Sequence, residues 1–184
     1  NARIVFKGVP LLYTPWMDFA LNDDKRSGFL GPTFGSTNSG GSEITLPYFW
    51  NIAPNFDATF SPRFISKRGT QFNNQFRYLQ PRYSGEVEVD VLPGDRISGL
   101  DRSHLALRHQ QALDQRLSAA VNANVVSDDA YYRDLASTVS GTSQANLLRE
   151  GVLNYAGDGW SAMARVQRYQ TLQDPLAPVA EPYR

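Results

Sequence analysis

Glu86, Glu88 and Asp90 stand at alternate positions of "YSGEVEVDV", and this carboxylate row is the first arrangement in the 184-residue chain with the residue types to bind a cation or move a proton. In an extended segment alternate side chains share a face, yet successive ones lie roughly 7 Å apart along it, so the three cannot all reach one ion. Pairing with Arg77 across a hairpin, or simple hydration, accounts for them better than a metal site. His104 and His109 are five apart and fall on opposite faces of a strand, which separates them as partners. Serines are plentiful, but none sits in a G-x-S-x-G context, and no phosphate-cradling glycine motif is present. The sequence therefore holds no catalytic constellation, implies no cofactor or metal, and reads as a non-enzyme.

A second arrangement concerns the backbone. The stretch "SGFLGPTFGSTNSGGSEITLPYFWNIAPN" reads as two strands joined by a small-residue turn, and each strand carries a proline, Pro32 and Pro47. Proline has no N–H to give to a neighbouring strand and is normally confined to edges, strand starts and bulges. Two in consecutive strands mark a place where pairing is weakened, either as bulges that curve a sheet or as a seam that opens.

The elements that must carry these residues follow from alternation. From Gly41 to Val91 four successive segments have one apolar and one polar face. Ile44, Leu46, Tyr48 and Trp50 alternate in the first, and Phe56, Ala58, Phe60 and Phe64 oppose Asp57, Thr59, Ser61 and Arg63 in the second. Phe72, Phe76 and Tyr78 then oppose Gln71, Gln75 and Arg77, and Val87, Val89 and Val91 oppose the carboxylate row. Further on, "RHQQALDQRLSAAVNANVV" has helix-forming composition, but Leu117, Ala119, Val121, Ala123 and Val125 alternate as a strand does. "REGVLNYAGDGWSAMARVQRY" predicts a hairpin about "GDG". Laid out after Gly28, nine strands are expected. The links "IAPN", "LQPR", "QALDQ" and "AGDG" are short, "STNSGG", "LPGDRISGLDR" and "SDDAYYRDLASTVSGTSQAN" are longer, and "SKRGT" alone spoils the rhythm.

Short turns alternating with longer loops suit an up-and-down outer-membrane barrel, with Tyr48, Phe49 and Trp50 as an interfacial aromatic girdle. A soluble antiparallel sheet with one solvated face shows the same alternation. The 18 basic residues balance the 18 acidic ones, which argues against a nucleic-acid partner. Cysteine is absent, so disulfides and thiolate sites within this stretch are excluded. No run of roughly 18 apolar residues exists, which rules out a transmembrane helix but not a membrane barrel. The chain begins at Asn1 without a basic, apolar leader and is expected to be mature or cut from something longer. Before Gly28, "ARIVF" and "VPLLYTPWMDFAL" are more continuously apolar, as in a β-sandwich core, and the charged "NDDKRSG" marks a boundary.

The segments "FKGVPLLYTPW", "DDKRSGFLGPTFG", "LPYFWNIAPNFDATFSPRFISKRGTQFNNQFRYL" and "DPLAPVAEPYR" resemble the LptD family of lipopolysaccharide-assembly proteins, over nearly the whole chain and most specifically through Leu79. The resemblance implies an all-β fold: antiparallel up-and-down strands of a large outer-membrane β-barrel, preceded by the last strands of a periplasmic β-jellyroll. Residues 1–22 would end the jellyroll, and 23–184 would form about nine strands of an incomplete barrel. It implies lipopolysaccharide transport and insertion into the outer leaflet of the Gram-negative outer membrane, with the N-terminal segment periplasmic. Implied partners are lipopolysaccharide, the plug lipoprotein LptE, the periplasmic bridge protein LptA and outer-membrane lipid. Pro32 and Pro47 match the prolines that weaken a lateral gate between first and last strands. Asp57, Arg63, Arg77, Glu86 and Glu88 become a candidate lumen lining, and Leu11, Leu12 and Trp16 a candidate acyl-chain path. A general outer-membrane porin or receptor barrel, or a soluble β-sandwich carbohydrate-binding module, are the alternatives.

Overall fold

Alternation of the two faces is realised as an almost wholly antiparallel β structure in a computed structural model that describes residues 2–6, 9–14, 25–136, 145–174, 178, 180 and 182. Two short strands, β1 (Ala2–Phe6) and β2 (Val9–Thr14), pair with each other alone, with an irregularity between Ile4 and Val5. The remaining strands form one sheet: β3 (Gly28–Phe29), β4 (Thr33–Thr37), β5 (Gly41–Thr45), β6 (Tyr48–Ala53), β7 (Phe56–Ile65), β8 (Gly69–Leu79), β9 (Tyr83–Leu92), β10 (Arg102–Ala112), β11 (Leu117–Val126), β12 (Asn146–Ala156) and β13 (Ser161–Thr171). β7 to β13 pair in sequence order, β4 pairs with β5 and β3 with β6, and β5 and β6 both lie against β7, so the chain runs as a meander.

β3 and β4 are two halves of one strand, and β5 and β6 two halves of the next, which gives the nine expected strands. "RHQQALDQRLSAAVNANVV" is the end of β10, a turn and β11, so alternation outweighs helix propensity there. The "GDG" hairpin joins β12 to β13, and Gly159 supplies the left-handed φ of +81°.

Connections at one end of the sheet, the turn end, comprise residues 54–55, 80–82, 113–116 and 157–160. At the opposite, loop end they comprise 38–40, 66–68, 93–101 and 127–145. The rhythm of short and long therefore holds only in the later half. Half of "STNSGG" is strand, because β4 runs to Thr37 and β5 starts at Gly41, whose φ of +78° closes a tight turn.

The loop after β11 also departs from expectation. It contains a short helix, α1 (Tyr131–Leu135), because Tyr131 and Leu135, four residues apart, share a helical face and are both buried. They pack with Ile65, Leu92, Val126, Leu147 and Leu172, the main buried apolar cluster.

Candidate functional site

The two proline-bearing strands are where the ladder fails. In the second strand, β5 ends at Thr45 and β6 resumes at Tyr48, leaving Leu46 and Pro47 outside the strands. Its register against β7 is unchanged across the gap, from Thr45 opposite Arg63 to Tyr48 opposite Phe60. In the first strand the register does slip. Thr33 faces Thr45 and Phe29 faces Tyr48, so four steps on the first strand match three on the second. The extra residue makes a bulge within 30–32, beside Pro32. Because a one-residue slip exchanges faces, Phe34 above the bulge and Phe29 below it both reach the apolar side. Phe29 rests edge-on against Tyr48 with centroids 5.1 Å apart.

An antiparallel hydrogen-bonded pair normally exchanges two bonds. Here Leu30 N–H donates to Pro47 O at 2.8 Å, and Pro47 can return nothing. A third proline, Pro62 of β7, repeats this on the other side of the second strand. Leu46 N–H donates to Pro62 O at 3.0 Å, again without a return. The second strand is thus under-bonded to both neighbours at adjacent residues.

One face of the sheet is apolar and uncovered. Phe60, Phe64, Phe72, Phe76, Leu105 and Leu153 are exposed on it. The expected girdle is divided by register. Tyr48 and Trp50 lie on the apolar side, opposite Phe60 and Ala58, whereas Phe49 faces Thr59 on the polar side. The aromatics that gather at the turn end include Tyr78, Tyr83 and His109, with centroids 5.8–6.4 Å apart and Tyr78 Oη 2.7 Å from His109 Nδ1. Tyr78 crosses Gly85 to get there. A Cβ on Gly85 would stand 2.3 Å from its hydroxyl.

The opposite face carries the candidate lining. Asp57, Arg63, Arg77, Glu86 and Glu88 share it through the registers of β7, β8 and β9. Arg77 Nε donates to Asp57 at 2.7 Å, and Lys25 approaches the same carboxylate at 3.4 Å. This corrects the pairing expected for the carboxylate row: although Arg77 lies opposite Glu86 in register, the ion pairs of Glu86 and Glu88 run to Arg108 on β10, at 2.8 and 3.3 Å. Asp57 is close enough to take Arg77 from the other side. Among the described residues no group of three His, Cys, Asp or Glu is placed to hold a metal ion.

Arg63 belongs to a different network near the loop end. Its Nε and Nη2 donate to Glu43 at 3.1 and 2.5 Å, while Nη1 donates to Gln71 Oε1 at 3.1 Å and to the Leu135 carbonyl at 2.7 Å. Gln71 Nε2 donates to Tyr131 Oη at 3.0 Å. The helix α1 is therefore fastened to β7 and β8, and through Arg63 to β5 of the second strand.

Beside it, Arg102 binds Asp128 with two bonds at 2.7 and 2.9 Å, Asp134 at 2.9 Å and Asp95 at 3.3 Å. Arg68 holds Asp95 at 2.6 Å. Asp95 is wholly buried, and Arg102 is 1% exposed. Burial pushes the Asp95 carboxyl up, but the Ile97 N–H and the two guanidiniums outweigh it and hold the group below the usual carboxylate range. Asp128 is lowered in the same way, its burial being overcome by Arg102, Ser127 and the Ala130 N–H. Burial raises the Tyr131 phenol and keeps it neutral. His104, Asp90, Asn124 and Tyr132 complete the cluster with contacts of 2.9–3.1 Å. His104 lies on this polar face and His109 on the apolar one, as their spacing predicts.

Sequence reasoning found Arg63 but missed Arg68, Asp95, Arg102, Asp128 and Asp134. Their only linear signal is acidic residues in two loops facing arginines at strand starts and turns. Leu11 and Leu12 lie in β2, described by its main chain, and Trp16 lies outside the described residues.

A family model described as LPS transport system D, LptD, matches residues 101–184. The LPS-assembly protein LptD of Azoarcus sp. is 50% identical over 186 residues, covering 100% of this chain and 23% of that protein. Its namesake from Aromatoleum aromaticum is 48% identical over 178 residues, 95% of this chain and 23% of that protein. That of Chromobacterium violaceum is 46% identical over 187 residues, 100% of this chain and 24% of that protein. The chain thus spans less than a third of the length of each of these relatives.

Proposed function

The chain belongs to the LptD family, and on that premise we propose that its sheet is the first nine strands of an outer-membrane barrel wall that guides lipopolysaccharide into the outer leaflet through a lateral gate at Pro32 and Pro47. Residues 1–22 are the end of a periplasmic jellyroll, and 23–184 the beginning of the barrel. In this reading the apolar face meets lipid, the polar face lines a wet lumen, and the loop end faces outward.

The observation that carries the proposal is the contrast in the ladder. Both proline-bearing strands are interrupted, one by a bulge and one by a missing bond, while β7 to β13 run unbroken for ten or eleven residues each. A lost hydrogen bond is worth about 0.5–1.5 kcal/mol net. That is small against a whole barrel and large enough to bias where it parts.

The chemistry is passive guidance, with no bond made or broken. Acyl chains follow apolar surface that begins at the jellyroll, in the neighbourhood of Leu11, Leu12 and Trp16. The head group passes a lining that includes Asp57, Arg63, Arg77, Glu86 and Glu88. LptE as plug and LptA as periplasmic bridge are the protein partners this reading calls for.

The test uses the full-length parent in cells, with a photo-crosslinking residue at Thr33, beside Pro32, and a control at Val121 on the apolar face of β11. A lipopolysaccharide adduct at Thr33 that disappears when transport is de-energised, with no such dependence at Val121, supports the gate. Equal and energy-independent labelling at both positions would reduce the chain to a wall in a lipopolysaccharide-rich leaflet.

A further inference from the structure

Arg63 stands on the polar face of β7, yet all three nitrogens of its guanidinium are bonded within the protein. Nε and Nη2 hold Glu43 of β5, and Nη1 holds Gln71 of β8 and the carbonyl of Leu135, the last residue of α1. Arg63 is 7% exposed. Glu43 lies directly opposite Gly35 of β4. A Cβ on Gly35 would stand 2.7 Å from Glu43 Oε1 and 3.1 Å from its Cγ, so the glycine leaves room for the glutamate to lie across the first strand. A continuous set of side-chain contacts thus runs from α1 through β8 and β7 to the second strand and over the first.

The strands it reaches are thinly held at this end. β5 meets β7 in three register pairs, Glu43 to Thr45, before the break at Leu46 and Pro47. Two main-chain bonds follow towards the turn, from Ser66 N–H to Ser42 O at 2.9 Å and from Lys67 N–H to Gly40 O at 3.0 Å. At the other end of the link, α1 has five residues and no side-chain cap at its N-terminus. A helix this short does not persist alone. It is held by the burial of Tyr131 and Leu135, by the bonds from Gln71 and Arg63, and by Arg102 on Asp134. Folding and docking of α1 are therefore one event, and undocking is a local opening of the kind that costs far less than global unfolding. It would remove Tyr131 Oη and the Leu135 carbonyl, the acceptors that aim Gln71 and Arg63.

We propose that α1 is a latch on the seam and that Arg63 is the positioning residue through which it acts. Docked, α1 keeps the guanidinium on Glu43 and the loop-end half of the first two strands against β7. Undocked, it releases both. The inference rests on the gate reading above, and it gives Arg63 the control of the seam rather than contact with the head group.

The test is site-resolved hydrogen–deuterium exchange of the full-length parent, with its partner proteins, in nanodiscs. Tyr131→Ala combined with Leu135→Ala removes both anchors of α1 and leaves Arg63 in place. Amides of residues 33–45 are expected to exchange about tenfold faster, the effect of losing one charge-assisted contact. Residues 48–53, on the other side of the proline break, and 107–112 of β10 should keep their rates. Arg63→Leu is expected to give the same rise at 33–45, and the α1 substitutions added to it no further rise. Arg63→Lys keeps the charge but lacks the planar fork, and should likewise no longer transmit the loss of α1. If the double α1 variant does not insert, Tyr131→Phe, which removes only the bond from Gln71, carries the same test with a rise of about threefold at 33–45. Unchanged rates at 33–45 while α1 itself exchanges freely would overturn the latch, as would additive effects of the α1 and Arg63 substitutions. An equal rise at 107–112 would also overturn it, as general loosening. Failure of the gate reading registers separately, as no energy-dependent adduct at Thr33 in the wild type while 33–45 still follows α1.

Discussion

The first two strands and the later seven are built on the same alternation but bonded to different standards. In β7 to β13, register continues for ten or eleven residues and polar side chains cross-link neighbouring strands. In β3 to β6, four fragments of two to six residues are held past a bulge and two proline pairs that each lack a return bond. β4 is exposed along its whole length. Weakness is therefore placed by sequence at one margin of the sheet, while the loop end behind it is stiffened by buried ion pairs. The gate proposed above calls for both.

The largest effect should come from removing the stiff part. Arg102→Leu strands Asp95, Asp128 and Asp134 without their shared guanidinium, and breaking a buried pair this way costs about 3–5 kcal/mol. Urea unfolding of the full-length protein in detergent should shift accordingly, and an unchanged midpoint would mean that the network carries no weight.

Transferring the weakness is the next test. Val89→Pro puts a proline into the middle of β9 and leaves a ladder carbonyl unpaired, a penalty of about 1–3 kcal/mol. Amide exchange should then rise locally in β9 and in whichever neighbour lost its donor, copying the behaviour expected of the seam.

Acid probes the same contrast without mutation. The carboxyls of Asp95 and Asp128 are depressed in the folded state, so their contribution is complete above the ordinary carboxylate pKa of about 4 and is lost as pH falls through their lower folded values. Pepsin cleavage within Tyr131–Leu135 should stay constant from pH 5 to about 4 and accelerate only below that. Acceleration already between pH 5 and 4 would deny the depressed values.

Restoring a single bond should have the smallest effect. Pro47→Val returns an N–H facing Leu30 O and should stabilise the first pair by about 0.5–1.5 kcal/mol. Slower appearance of lipopolysaccharide at the cell surface, with unchanged protein level, is the expected readout.

Much of this was legible in the chain because side-chain period 2 is a local signal. Alternation in Phe56–Ile65 and Tyr83–Leu92 located the strands, their faces and the opposed placement of His104 and His109. Pro32 and Pro47 announced themselves because proline changes the backbone wherever it stands. Pro62 did not, since its consequence depends on lying opposite Leu46, a pairing that only register reveals. The same holds for the ion-pair network. Asp95 and Arg102 are seven apart, but Arg68 and Asp134 arrive from distant turns, and nothing in "SDDAYYRDL" indicates that Tyr131 and Leu135 fold back over Leu92. Arg77 was assigned to the wrong carboxylate for a related reason: it stands between two hairpin partners, Glu86 of β9 and Asp57 of β7, each directly opposite it, and the linear sequence does not say which one the guanidinium takes.

The most direct test of the central claim is site-resolved hydrogen–deuterium exchange of the full-length protein in nanodiscs. Amides of residues 28–53 should exchange at least about tenfold faster than those of β8 and β10, equivalent to roughly 1.4 kcal/mol of lower local stability. Uniform protection across all nine strands would contradict a seam built into the first two.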